Sequence, residues 1–203
     1  MVTAQFLSIG SDAMPLSSFV PTGDDTSDSV VIQALDAAGY TIASYSWVNW
    51  AGDNYDQEAW IDDGFAIVEG VSFAPGQGLW VQGADESQGI QTAGMVGTSD
   101  VVVKLRFGST ATGNPFPVAI NLQDILPEGD DTSDSVVIQT LDAAGYTIAS
   151  YSWVNWAGEN FDQEAWIDDS FTIVNDVTFA PGQGLWIQGA GDNQSVRFPA
   201  PEL

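Results

Sequence analysis

Apolar and polar residues alternate with a period of two along much of this chain, in short runs broken by glycine, proline and acidic residues. The run "DVVVKLRFG" (100–108) places Val103, Leu105 and Phe107 on one face and Lys104 and Arg106 on the other, the pattern of a half-buried strand. "SVVIQALDAAGYTIASYSWVN" (29–49) reads as a hairpin: a β-branched run, a turn at Asp36 and Gly39, then a second strand. In that second strand Tyr45 and Trp47 share one face, and Ser44, Ser46 and Val48 the other. "GLWVQG" (78–83) is a short strand behind a Pro75-Gly76 turn. A rival reading makes "TSDSVVIQALDAAG" (26–39) a capped helix ending at Gly39. The β-branched Val30, Val31 and Ile32 disfavour it, so an all-β chain is expected.

The pattern occurs twice. Residues 23–84 align without gaps to 129–190 and differ at nine of 62 positions, all mild changes such as Ala34 to Thr140 and Val81 to Ile187. A period of 106 residues exceeds the 20–50 of a solenoid unit and is that of a small domain. Two tandem, near-identical antiparallel β-sandwich domains are therefore expected, covering 1–97 and 98–203, each of about six or seven strands. The flanks also correspond, Gln88 with Gln194 and Ile90 with Val196. The counterpart of "VVVKLRF" (101–107) before the first copy is read as "MVTAQFL" (1–7).

Charge narrows the function classes. Twenty-eight acidic residues face three basic ones, a net −25, which repels nucleic acid and anionic lipid because both require Lys and Arg. There is no Cys and no His, so disulfides, thiolate metal sites and the usual general base are absent. No apolar run reaches the length of a membrane span. The first sixteen residues lack the basic segment of a signal peptide. We read Met1 as a start placed after a removed leader, and the protein as extracellular or cell-surface. One Lys and two Arg leave trypsin-like proteases little to cut, a trait that suits exposure.

The endings "FAPGQGLWVQG" (73–83) and "FAPGQGLWIQG" (179–189), with "NPFP" (114–117) ahead of the second copy, carry a resemblance. They resemble uncharacterised secreted bacterial β-repeat proteins in which a PGxGxWV-like strand closes each module. That resemblance implies an extracellular β-rich module and supplies no catalytic residues.

An enzyme is not expected. Lys104 is the sole lysine, and carboxylates are so abundant that no pair stands out as the two that glycoside hydrolysis needs. The eight tryptophans admit two readings. A buried aromatic side chain hides roughly 150–250 Å², worth roughly 4–6 kcal/mol gross at about 25 cal/mol per Å², so Trp47 and Trp80 are expected in the core. Trp50 and Trp60, with Trp156 and Trp166, flank the acidic loop and are the candidates for stacking on a glycan. Acidic clusters recur at 23–29, 51–58 and 61–63. Asp24, Asp25 and Asp28, with Asp130, Asp131 and Asp134, form the candidate calcium set, since calcium takes six to eight oxygens; the plainer reading is a solvated loop.

The function expected from these features is a non-catalytic extracellular structural protein that assembles into filaments or a surface layer. The alternative is a carbohydrate-binding or adhesion module. Near-identical copies allow a head-to-tail contact between chains, which does not close. The chain termini, with Val2, Phe6, Val196, Arg197 and Phe198, are the expected donors of strand addition.

Overall fold

The computed structural model describes residues 13–74, 76–84, 87–92, 98–142, 145–191 and 193–201, and the backbone alone of 3–8. Two five-stranded antiparallel sheets dominate it. The first runs in the order β1 (Thr3–Ser8), β8 (Gly78–Gly83), β4 (Val31–Leu35), β5 (Thr41–Ala51) and β6 (Gln57–Ile61). The second repeats that order with β11 (Gly108–Gly113), β18 (Gly184–Gly189), β14 (Val137–Leu141), β15 (Thr147–Ala157) and β16 (Gln163–Ile167). Smaller sheets accompany each. The first repeat pairs β2 (Met14–Pro15) with β7 (Ser72–Phe73), and β3 (Phe19–Thr22) with β9 (Gly89–Thr92). The second pairs β12 (Ile120–Asn121) with β17 (Thr178–Phe179), and joins β10 (Val101–Lys104), β19 (Ser195–Phe198) and β13 (Leu126–Glu128) into a three-stranded sheet.

The all-β expectation holds. Among the described residues the helical pieces are two 3-10 turns, Leu16–Ser18 and Leu122–Asp124. The rival helix over 26–39 is instead a turn, strand β4 and a tight turn. Acidic side chains build these turns. Asp36 Oδ1 accepts from Ala38 N at 2.8 Å and Tyr40 N at 2.9 Å, and Asp142 accepts from Tyr146 N. Asp62 Oδ1 accepts from Gly64 N and Ala66 N, as Asp168 does from Ser170 N and Thr172 N. A carboxylate that satisfies two loop amides replaces the ladder partner those amides lack.

Each large sheet shares a core with the smaller sheets beside it. In the first repeat Ile32 and Leu79 pack with Leu16, Phe19 and Phe73. In the second, Ile138 and Leu185 pack with Leu122, Ile125, Phe179, Val196 and Phe198. Trp47 and Trp60 are cross-strand partners in edge-to-face contact, centroids 5.4 Å apart, and Trp153 and Trp166 copy them. On the opposite face of β5, Val48 packs with Ala51, Ala59 and Ile61.

Three sequence expectations need correction. The alternation over 100–108 is not one strand: β10 ends at Lys104, Leu105 turns into the core, and Phe107 is 82% exposed. The counterpart of Thr3–Ser8 is Gly108–Gly113, since each pairs with the closing strand of its own repeat in the same register, Thr3 with Gly83 and Gly108 with Gly189. Trp80 is not in a repeat core. It leans on Gly145 of the other repeat, as Trp186 leans on Gly39. Leu35, Ala111 and Leu141 pack beside these rings, and Ala111 N donates to Ala37 O at 3.1 Å. The contact between repeats is reciprocal, with the same patch on both sides. Within the chain it is therefore an isologous contact.

Candidate functional site

The 11-residue strand β5 carries the chain from the inter-repeat contact at Thr41 to Ala51, about 30 Å away at the usual rise per residue. At that far end stand Trp50 and the loop 52–56, while the turn 62–66 follows β6, whose last residue Ile61 pairs with Ser46 near the middle of β5. Trp50 is half-buried, and its ring centroid lies 6.3 Å from that of Phe65. Its Nε1 donates to both carboxylate oxygens of Asp28, at 3.0 and 2.8 Å. Phe65 and Tyr55 are 73% and 74% exposed, and both have left-handed backbone, φ 63° and 56°. For a bulky side chain that conformation is a true outlier and costs roughly 1–3 kcal/mol. The second repeat rebuilds the arrangement with Trp156 on Asp134, Phe171 at 6.3 Å, and Phe161 and Phe171 at φ 56° and 59°.

The expected stacking residues thus divide. Trp50 and Trp156 border this aromatic surface. Trp60 and Trp166 are 4% and 0% exposed, and their Nε1 groups donate to the carbonyls of Phe19 and Ile125. They are core anchors with no face for a ligand. Sequence position alone put Trp60 at the rim of the acidic loop. Its strand register with Trp47 puts it inside. Tyr55, Phe65, Phe161 and Phe171 were missed, and the available signal was a large aromatic residue placed within a Gly- and Asp-rich turn.

The aspartates proposed for calcium do not converge. Among the described residues no group of three or more acidic side chains stands ready to hold a metal. Asp28 and Asp134 spend their carboxylates on indole N–H groups. The carbonyls of Asp24 and Asp25, which a cation would use, accept from Gln88 Nε2 at 2.9 Å each, and Gln88 Oε1 accepts from Ala84 N. Gln194 does the same for Asp130 and Asp131. A side-chain amide fills the centre of each loop.

Of the residues expected to mediate assembly, Val196, Arg197 and Phe198 are engaged within the chain. Val2 lies outside the described residues. Phe6 sits in β1, whose backbone pairs with β8 opposite Trp80. Val196 and Phe198 are fully buried in β19, the middle strand of its sheet, and Arg197 bridges Glu128 at 2.7 Å and Asp100 at 3.2 Å. Those two carboxylates raise the Arg197 pKa, and hydrogen bonds from Ala200 N and then from Arg197 lower that of Asp100. The C-terminal strand β19 is paired on both edges within the chain.

No protein-family model matches the chain, and comparison with curated proteins and with solved structures found no match.

Proposed function

We propose that this chain is a non-catalytic extracellular adhesive or structural protein that binds glycans through two copies of an aromatic surface. The observation that carries the reading is Phe65, exposed at left-handed backbone beside Trp50, and its duplicate Phe171 beside Trp156, with Tyr55 and Phe161 likewise exposed at left-handed backbone in the loop after the long strand. Phe65 leans on Trp50 yet keeps most of its surface in solvent on strained backbone. A ligand that stacks on these rings would repay that strain. Sugar rings offer apolar C–H faces to aromatic planes, while their hydroxyls donate to carboxylates such as Asp53, Asp56 and Asp63 nearby in the sequence. The net charge of −25 favours neutral or amino sugars over acidic ones. Two sites on one chain suit a polymer, because the second binding event becomes intramolecular.

The test is binding of the intact protein to neutral and amino-sugar polysaccharides, with Phe65→Ala, Phe171→Ala and the double variant. Each single change should weaken binding to the polymer about tenfold, and the double change about a hundredfold or more as avidity is lost. Absence of binding to any such glycan, or unchanged binding by the double variant, overturns the reading.

A further inference from the structure

The two repeats differ at one sheet edge, and the difference specifies a partner. In the second repeat β19 is paired on both sides, with β13 through Leu126↔Arg197 and with β10 through Val102↔Arg197. Its counterpart β9, four residues at the same spacing of 106, pairs with β3 through Val20↔Gln91. Among the described residues no strand occupies the other edge of β9.

Burial follows the pairing. Val196 and Phe198 are fully buried, whereas the matching Ile90 is half-buried and Thr92 is exposed. Val101 and Leu105, contributed by the β10 segment, belong to the second core. The first core contains no equivalent of either among the described residues.

Charge identifies what fits. The chain's only cations, Lys104, Arg106 and Arg197, all lie at this junction of the second repeat. In the register of β10 on β19, Lys104 stands opposite Ser195, the counterpart of Gly89. A lysine at that place on β9 would enter beside Gln88 and the Asp24–Asp25 loop that Gln88 holds. We propose that the outer edge of β9 is an acceptor for an extended cationic segment of the pattern apolar–x–apolar–Lys–apolar, added antiparallel as β10 is added to β19. Main-chain hydrogen bonds supply the affinity, and the alternating apolar side chains cover Ile90 and Thr92. The proposal does not rest on glycan binding by the aromatic surfaces.

The probe is a nine-residue peptide with the sequence of residues 99–107, SDVVVKLRF, added to the intact protein and followed by residue-resolved amide hydrogen exchange. At about 1 mM peptide the outward-pointing amides among 89–92 should slow by roughly tenfold or more, with those of 195–198 unchanged. A version with both cations replaced by Glu should bind about tenfold more weakly at low salt. A peptide of the same composition with the alternation scrambled should give no protection. Unchanged exchange at 89–92, equal protection by the scrambled peptide, or protection at 195–198 instead would each overturn the proposal. So would a protein that is dimeric without peptide and already protected at 89–92, because the occupant would then be a second copy of this chain.

Discussion

Gly39 lies so close to the indole of Trp186 that a Cβ built on it would stand 1.9 Å from Cη2, and Gly145 receives Trp80 in the same way at 2.8 Å. Both glycines have positive φ, 80° and 83°. Each therefore meets two demands that only a residue without a side chain meets: a left-handed turn after β4 or β14, and room for an aromatic ring from the other repeat. Gly39→Ala and Gly145→Ala should each destabilise the protein by about 1–3 kcal/mol, Gly39→Ala more because its approach is closer. Urea denaturation followed by tryptophan fluorescence reads both, and a variant as stable as the parent would remove this contact from the account.

Gln194 is almost wholly buried, and its amide joins Asp130 O, Asp131 O, Ser135 Oγ and Ala190 N. Gln194→Ala strands these groups and should cost about 1–3 kcal/mol, with a smaller loss for the half-buried Gln88. Because that amide already satisfies the loop carbonyls, calcium should raise the melting temperature no more than sodium chloride of the same ionic strength. A rise specific to calcium at matched ionic strength would sink this assignment of the loops.

Burial raises the pKa of Tyr45 above the ordinary 10.0, and Asp62 adds to it. Tyr151 is raised likewise by burial, then by Asp168 and Asp169. The neutral phenol is the form the fold favours. Its contribution to stability is complete below the unfolded value and is lost as pH rises through the higher folded value. The phenolate absorbance removed by Tyr45→Phe or Tyr151→Phe, taken by difference from the parent, should have its midpoint above 10. A midpoint at or below that value would contradict the burial of these rings.

Thr112 Oγ1 in β11 is buried with no hydrogen-bond partner among the described residues, and the same strand position in the first repeat is Leu7. Thr112→Val keeps the shape and removes the stranded hydroxyl, whose desolvation costs about 1–3 kcal/mol. The variant should melt at a higher temperature in calorimetry. Melting at or below the parent temperature would mean that the hydroxyl finds a partner in solution.

Local chemistry was legible in the sequence wherever one residue determines its own neighbourhood. The Asp36–Gly39 turn, the alternation of Tyr45 and Trp47 against Val48, and the match of Gln88 with Gln194 all follow from side chains acting within a few residues or recurring at one spacing. Residues 46–63 and 152–169 are nearly identical, and they fold alike, down to the edge-to-face tryptophan pair. What lay beyond the sequence were properties of partners distant along the chain. Trp60 and Phe65 are five residues apart, yet one is buried on Phe19 O and the other stands in solvent, because β6 turns one face to the core and then leaves it. Trp80 has the local pattern of a core strand, and only the packing of one repeat on the other gives it Gly145. Trp47 remains half-buried where its copy Trp153 is buried, with Val101 and Leu105 present in the second core and unmatched in the first among the described residues. Local sequence sets turns and strand faces through short-range hydrogen bonds and pleat geometry. Burial depends on which distant surface arrives, and that is decided only when the sheets assemble.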